Sequence, residues 1–282
     1  MEKKIEWSGR AKVALCMCVK NEAFRIKEWV AYHSLLGFDM IIIYDNMSTD
    51  GTRQILGRVG GKANIVIVDW DRSDRMYQMD AFKDAVTRFG HDFDWMGFID
   101  SDEFVVLHEH DNISSFVEDY EEASAIVINW ALYGSSGHIV RPDGLLIEEF
   151  TNRAKPDERR ARHVKSFVRI SNFVNVGPNP HVFDVAGQTV NVLHDAPEWD
   201  ELGITAERAV YSICQINHYF VRSLEEWREK MKRGYPDQDL GNIDEGRIVA
   251  EFHSFDRNDV VDQSAVAWAI KTKEKVEYLF GQ

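Results

Sequence analysis

The chain has 282 residues, of which 44% are hydrophobic and 28% are charged, as is typical of a folded globular protein with a sizeable core. Acidic residues outnumber basic residues by 47 to 33, and the formal net charge of −14 argues against non-specific binding to nucleic acid or anionic lipid. An anionic ligand would therefore need a local cation or a small basic cluster.

The cysteines and the amino-terminal residues bear on the compartment. Cys16 and Cys18 form a C-x-C pair without zinc-site spacing, and Cys214 lies far away, so buried reduced thiols are expected. The opening residues are charged and lack an apolar segment, so we expect no signal peptide. The sequence has no run of about 18 apolar residues, so no membrane span is expected. These features favour a cytoplasmic protein, either free or peripheral at the inner membrane surface.

The first third of the chain alternates between strand-like and helix-like segments. Apolar runs of strand length occur at 12–19, 39–45, 63–70 and 94–100. Helical spacing of apolar residues occurs at 23–38 and 78–90, and a further helix is predicted to open behind the capping candidates of 48–50. This order predicts an α/β fold with a mostly parallel sheet flanked by helices.

The remainder of the chain is less regular. Strands are predicted at 124–134, 165–170, 180–185 and 211–221, and amphipathic helices at about 223–233 and 264–280. The polar segment 151–163 is predicted to be a mobile loop, and its basic run is a candidate lid. Because no repeat, linker or low-complexity tract is present, we expect a single domain over 1–282 with a C-terminal elaboration.

Polar residues follow each of the first four predicted strands. They are KNE at 20–22, DNMSTD at 45–50, DWDRSD at 69–74 and DSDE at 100–103. Ligands bind at the carboxyl ends of the strands in such sheets. We therefore expect all four segments to face one crevice.

The fourth of these segments concentrates negative charge. Asp100, Asp102 and Glu103 place three carboxylates within four positions, where they repel one another unless a partner compensates. Hard divalent cations take oxygen ligands and are commonly shared between carboxylates and substrate phosphates. The pattern therefore predicts a metal site at Asp100 and Asp102 rather than a solvated acidic turn. Both carboxylates bind the ion directly, or one of them binds it through water.

Five stretches in order resemble the nucleotide-sugar glycosyltransferases of the GT-A fold, specifically the family-2-like and family-92-like group. They are CVKNEAFRIKEWVAYHSLLGFDMIIIYDNMSTDGT, QMDAFKDAVTRFGHDFDWMGFIDSDEF, INWALYGSSGH, HVKSFVRI and INHYFVRSLEEWREKMKRG. The resemblance implies a Rossmann-like GT-A domain with a nucleotide-binding half at about 12–103 and an acceptor-binding, metal-completing half at about 104–282. It implies metal-dependent, inverting transfer of a sugar, expected to be UDP-linked, to a hydroxyl of a glycan or glycolipid, as in polysaccharide biosynthesis.

The resemblance also implies roles in nucleotide binding. Asp45 is expected to accept a hydrogen bond from the imide N–H of a uracil ring. Lys20, Asn21 and Glu22 are expected to edge the nucleotide pocket. Asp80, in the predicted helix 78–90, is a further candidate for binding the donor.

Metal binding and catalysis follow from the same resemblance. Asp100 and Asp102 are expected to hold Mn²⁺ or Mg²⁺ against the diphosphate, and Asp102 is also assigned to catalysis. His218 in INHYF resembles a late third metal ligand, and an imidazole beside carboxylates favours Mn²⁺. His138 in GSSGH is the candidate general base. Asp184, His194 and Asp195 stay open as alternatives, since the aspartate that family-2 enzymes use has no clean equivalent here.

Other functions and simpler roles fit parts of the pattern. A nucleotidyltransferase or phosphohydrolase would use the same carboxylates, although VKNEAF lacks the glycine-rich phosphate loop usual in nucleotidyltransferases. A non-catalytic sugar- or nucleotide-binding module is the second alternative, against which the intact D-x-D and His218 argue.

For several residues a structural role competes with a functional one. Trp130 and His181 suit either a ligand site or ordinary packing. Lys165 and Arg169 face either an anionic diphosphate or solvent.

Overall fold

A computed structural model of the protein describes residues 9–72, 76–233 and 244–281. The predictions for the first eight residues and for the end of the polar segment 69–74 lie outside the described residues. The strands are β1 (Val13–Val19), β2 (Met40–Asp45), β3 (Ile65–Asp69), β4 (Trp95–Phe98), β5 (Glu103–Leu107), β6 (Ala125–Leu132), β7 (Asn152–Arg153), β8 (Val164–Arg169), β9 (Phe173–Val176), β10 (Phe183–Val185), β11 (Thr189–Asn191), β12 (Trp199–Glu201), β13 (Ile204–Thr205), β14 (Cys214–His218) and β15 (Val260–Val261).

The helices include the predicted helical segments, at slightly different bounds. They are α1 (Ile26–Leu35), α2 (Thr52–Gly57), α3 (Tyr77–Phe89), α4 (Ile113–Glu118), α5 (Leu146–Glu149), α6 (Leu224–Arg233), α7 (Glu245–Phe255) and α8 (Ala269–Phe280). Among the described residues, no helix combines the length and the apolar character that crossing a bilayer requires.

One sheet organises the molecule. Its strand order is β3-β2-β1-β4-β8-β6-β14-β5, with β11 beside β6. The strands β3, β2, β1 and β4 are mutually parallel, as are β6 with β14 and with β11. Antiparallel pairing occurs where β8 inserts between β4 and β6, and where β5 pairs with β14. The predicted α/β fold with a mostly parallel sheet is confirmed.

The sheet is covered on both faces, which explains why its first strand is apolar throughout. All seven residues of β1 are buried. Val13, Leu15 and Met17 pack into the core beneath α1 and α8, whereas Cys16 and Cys18 pack into the core beneath α3. Alternate residues of a strand point to opposite faces, so a strand between two helical layers needs apolar side chains at every position. Both cysteines are buried free thiols, as predicted.

The segment 151–163 differs from its prediction as a mobile loop. It contains β7 and a 3₁₀ turn over Arg159–Arg162, and Ala154 and Ala161 are fully buried. The Arg160 guanidinium lies 4.0 Å from the centre of the Phe255 ring and donates to the Ser254 carbonyl at 2.8 Å. These contacts anchor the segment, so the structure does not support a mobile lid there. Sequence polarity could not reveal contacts made by residues a hundred positions away.

A buried carboxyl group in α1 predicts a pH-dependent stability. Glu28 is 4% exposed, and its oxygens accept from the backbone N–H groups of Leu146 at 2.8 Å and Ile147 at 3.2 Å. Burial raises the pKa of Glu28 to about 7, although those N–H groups and Arg25 oppose the rise. The folded chain therefore holds this proton over a range in which the unfolded chain has lost it. The free energy of unfolding should fall by up to about 3 kcal/mol as the pH rises from about 4.5 to 7.5.

Replacing Glu28 with Gln removes this titration. Urea unfolding of both proteins across that pH range measures the effect as the difference between their free energies of unfolding. We expect the wild-type protein to lose stability relative to Glu28→Gln as the pH rises. Parallel pH profiles would show that the carboxyl group is not protonated in the folded state.

Candidate active site

The loops after β1 and β2 are joined by side-chain hydrogen bonds at the carboxyl edge of the sheet. Asn21 has a left-handed backbone, with φ 56°, and its N–H donates to Ser48 Oγ at 2.9 Å. Thr49 N–H donates to Asn21 Oδ1 at 2.8 Å. The Glu22 N–H donates to Thr52 Oγ1 at 2.9 Å. The structure therefore brings Asn21 and Glu22 together with the polar segment after β2, as the parallel strands require.

The other nucleotide-binding candidates occupy different surroundings. Asp45 is 5% exposed and accepts from the Ser48 N–H at 3.2 Å, while the neighbouring Asn46 Oδ1 is buried without a hydrogen-bond partner among the described residues. Lys20 is exposed. Asp80 accepts from Arg72 at 2.6 Å and is 38% exposed in its side chain. In the described structure Asp80 thus binds a basic side chain, and Gln78 of the same helix reaches the D-x-D segment instead.

The D-x-D segment forms the turn between β4 and β5, and α1 holds its backbone. The buried Trp29 indole N–H donates to the carbonyls of Asp100 at 3.1 Å and Glu103 at 2.9 Å. The Glu103 carboxylate accepts from the Asp100 N–H at 2.9 Å and closes the turn. Glu103 is fully buried, and burial raises its pKa well above the usual value. Glu103 thus supports the turn rather than facing solvent.

Asp100 is held between two donors. Its Oδ1 accepts from Gln78 Nε2 at 2.6 Å, and its Oδ2 accepts from Lys165 Nζ at 2.7 Å. Burial disfavours the Asp100 carboxylate, but Lys165 and His218 together outweigh it and lower the pKa of Asp100. Lys165 is fully buried and lies 3.7 Å from Glu103 Oε2. Lys165 therefore faces the D-x-D turn, and the predicted alternative of solvent exposure is wrong.

Asp102 contacts His218 and Lys230. His218 Nε2 lies 3.4 Å from Asp102 Oδ1, and Lys230 Nζ lies 3.0 Å from Asp102 Oδ2. Burial opposes ionisation of Asp102, but Lys230 and His218 outweigh it and hold its pKa well below the usual value. Burial also lowers the pKa of His218, which favours the neutral imidazole that ligates metals. His218 reaches this position because β14 pairs with β5, placing it opposite Glu103.

These side chains suit a divalent cation in part. Two ligand atoms 3.4 Å apart, as in Asp102 and His218, can share one ion whose bonds are about 2.1 Å long. The buried His218 Nδ1 has no hydrogen-bond partner among the described residues. No group of three His, Cys, Asp or Glu side chains in the described ranges is already arranged around an ion, because Asp100 faces Gln78 and Lys165. Asp102 and His218 fit direct ligation, whereas both oxygens of Asp100 accept from other side chains.

An aromatic row continues from His218 across the sheet. The Trp130 ring centre lies 4.2 Å from that of His218 and 4.8 Å from that of His163, which is stacked against it. His181 packs edge-on at 5.2 Å. Burial lowers the pKa of His181 to about 3, so its imidazole is neutral. Trp130 thus packs against the rings of three histidines, and its role in sugar binding stays a prediction.

A charged cavity of about 360 Å³ lies beside the acidic turn. It is lined from one side by residues 21–25 and Asp50, and from the other by Arg141 and by residues of the β14–α6 segment. Arg222 donates to Glu22 at 2.9 Å across this space. Lys230 lines the cavity and also contacts Asp102. The cavity thus connects the end of β1 to the D-x-D turn.

The contacts of the candidate general bases involve residues other than those of the D-x-D turn. His138 Nε2 lies 3.0 Å from the Glu149 carbonyl, and its ring packs against Phe150. His194 stacks on Tyr120 with ring centres 4.4 Å apart, and Asp184 is exposed in β10. The Asp195 N–H donates to Asn191 Oδ1 at 3.1 Å. These contacts do not assign the base, and its identity as His138 stays a prediction.

Three side chains of this region were not named from the sequence. Gln78, Arg222 and Lys230 all lie in stretches that carried the family resemblance. The only available signal was the position of basic residues in VRSLEEWREKMKRG, and helical periodicity alone does not show which of them faces the acidic turn. Arg169, by contrast, donates to the carbonyls of Ala123 and Tyr120, both at 2.9 Å, so it has structural contacts.

The family model described as Glycosyltransferase family 92 matches residues 11–248. A glycosyltransferase family 92 protein of Ricinus communis is 27% identical over 183 residues, covering 60% of this chain and 31% of the relative. A glycosyltransferase family 92 protein of Arabidopsis thaliana is 25% identical over 249 residues, covering 83% of this chain and 39% of the relative. The chain thus spans less than two fifths of the length of these relatives.

Two solved structures are similar over much of the chain. S. aureus TarS 1-349 in complex with UDP-GlcNAc is 15% identical, covers 95% of this chain and 81% of its own, and has a TM-score of 0.38. Glucosyl-3-phosphoglycerate synthase from Mycobacterium tuberculosis, in complex with Mn²⁺, UDP-glucose and phosphoglyceric acid, is 17% identical. It covers 68% of this chain and 75% of its own, with a TM-score of 0.35.

Proposed function

The chain belongs to glycosyltransferase family 92, and from this premise we propose that it is a metal-dependent enzyme that transfers a sugar from a nucleotide donor to a hydroxyl group. The donor is a UDP-sugar, the acceptor is a glycan or glycolipid, and the reaction inverts the anomeric carbon.

The observation that carries the proposal is the close approach of Asp102 and His218 at one edge of the sheet. The Asp102–His218 distance of 3.4 Å suits a shared cation, and Asp100 lies two positions before Asp102 in the same turn. When bound, such a cation supplies the positive charge that stabilises a departing nucleoside diphosphate. Lys165 and Trp29 hold the backbone and Asp100 of the turn in place.

The neighbouring residues supply the remaining parts of a donor site. Asn21 and Glu22 line the charged cavity next to the turn, together with Arg222 and Lys230. Arg222 pairs with Glu22 and Lys230 with Asp102, so each cation would exchange a carboxylate for the diphosphate. Asp45 is the proposed acceptor for the imide N–H of a uracil ring, and the adjacent Asn46 Oδ1 is a buried acceptor with no hydrogen-bond partner among the described residues. A hydroxyl acceptor also requires a general base, for which His138 remains the proposed residue.

A thermal-shift screen of UDP-sugars with and without Mn²⁺ tests this function. At a ligand concentration about 100-fold above Kd, one donor should raise the Tm by about 5 °C, and only when the ion is present. Product analysis should then find UDP and a glycoside. Release of pyrophosphate would instead identify a nucleotidyltransferase, and binding without any turnover or slow donor hydrolysis would identify a non-catalytic module.

A further inference from the structure

Lys230 makes contacts in two adjoining places. Its Nζ donates to Asp102 Oδ2 at 3.0 Å and to the Phe220 carbonyl at 3.0 Å. The same side chain lines the charged cavity with Arg222. A single lysine therefore connects the predicted metal ligand with the space proposed for the donor diphosphate.

The two lysines of the acidic turn differ in their freedom to move. Lys165 is fully buried and lies between Asp100 at 2.7 Å and Glu103 at 3.7 Å, so it stays a fixed counter-ion. The Lys230 side chain is 17% exposed and reaches Asp102 from α6 along the wall of the cavity. Rotation about its side-chain bonds carries the ammonium from the carboxylate into the cavity without displacing the backbone.

An ammonium and a divalent cation compete for one carboxylate. Lys230 binds Asp102 Oδ2, and a cation held by Asp102 and His218 would repel the ammonium at the short separation that shared binding imposes. A diphosphate beside the cation offers the displaced ammonium a new anionic partner. The exchange would therefore link binding of the ion to binding of the nucleotide.

We propose that Lys230 competes with the divalent cation for Asp102 and, once displaced, binds the donor diphosphate in the adjoining cavity. This inference rests on the proposed function and assigns Lys230 as a positioning residue that couples the two ligands. Because binding free energies are linked, UDP raises the affinity for the ion by the same factor as the ion raises the affinity for UDP. Lys230 supplies part of that factor.

Binding measurements on Lys230→Gln test the proposal without requiring turnover. Binding of Mn²⁺ alone is followed by the electron paramagnetic resonance signal of the free ion, and UDP binding at saturating Mn²⁺ by calorimetry. We expect Mn²⁺ alone to bind about tenfold more tightly to the variant, and UDP about tenfold more weakly, than to the wild-type protein. A change of opposite sign in the two affinities is the signature of exchange, since a purely structural defect weakens both.

Two further variants keep the test decisive. Lys230→Arg retains the charge and should leave both affinities close to the wild-type values. Lys232→Gln removes an exposed lysine two positions along α6 and should change neither. If Mn²⁺ alone binds Lys230→Gln no more tightly than the wild-type protein, which itself binds UDP with Mn²⁺, the exchange is wrong and the proposed function stands. If the wild-type protein binds neither Mn²⁺ nor UDP, the proposed function fails and the exchange fails with it.

Discussion

Asp102→Asn should reduce sugar transfer by about 100- to 1,000-fold while leaving the protein folded. The amide keeps the shape of the carboxylate but loses the charge that attracts a cation and that now meets His218 and Lys230. Initial rates of UDP release, measured over a range of Mn²⁺ concentrations, give both the loss of turnover and any loss of ion affinity. Circular dichroism and the urea midpoint show whether the fold is retained.

The matched control is an aspartate outside the turn. Asp111 is exposed in the polar segment after β5, so Asp111→Asn makes the same chemical change on the surface and should leave turnover unchanged. Unchanged turnover in Asp102→Asn, with the fold intact, would contradict the metal-dependent mechanism. An equal loss in both variants would point to a general effect of charge rather than to a site at Asp102.

The fold of residues 12–100 was predictable because its segments are long and regular. Apolar runs of strand length alternate with helical spacing, and the strands proved to be parallel neighbours in one sheet. The later strands are short: β9 has four residues, while β10, β11 and β12 have three each. Such lengths carry no detectable period. The insertion of β8 between β4 and β6 depends on pairing between distant segments, which local patterns do not encode.

The candidate site was predictable only where a motif marks it. The family resemblance is confirmed by the match to residues 11–248, and Asp102 and His218 indeed lie together, although their roles stay predictions. The sequence does not decide whether Lys165 faces a ligand or solvent, because strand alternation does not identify the face beside Asp100. The contact of Lys230 with Asp102 depends on how α6 lies beside the D-x-D turn. Asp102 lies 128 positions before Lys230, beyond any local pattern.

The second large effect is expected from Arg25→Met, which breaks the buried ion pair that joins α6 to the start of α1. Arg25 Nε lies 2.9 Å from Glu226 Oε1, and the two side chains are 3% and 4% exposed. Burial opposes ionisation of Glu226, but Arg222 and Arg25 outweigh it and lower its pKa. Loss of Arg25 leaves a buried carboxylate with weaker compensation, so we expect the free energy of unfolding to fall by about 3 kcal/mol. Urea unfolding measures this loss.

The interpretation depends on two comparisons. Arg25→Met/Glu226→Leu removes both charges and should regain part of the loss, because apolar side chains of similar volume tolerate such a site. Arg247→Met breaks an exposed pair with Glu251 that has the same 2.9 Å separation, with side chains 56% and 27% exposed, and should cost about 0.5 kcal/mol or less. Equal losses for Arg25→Met and Arg247→Met would mean that burial does not decide the strength of the pair. A double variant less stable than Arg25→Met would mean that the contacts of Glu226 with Ser223 and Arg222 outweigh the cost of its uncompensated charge.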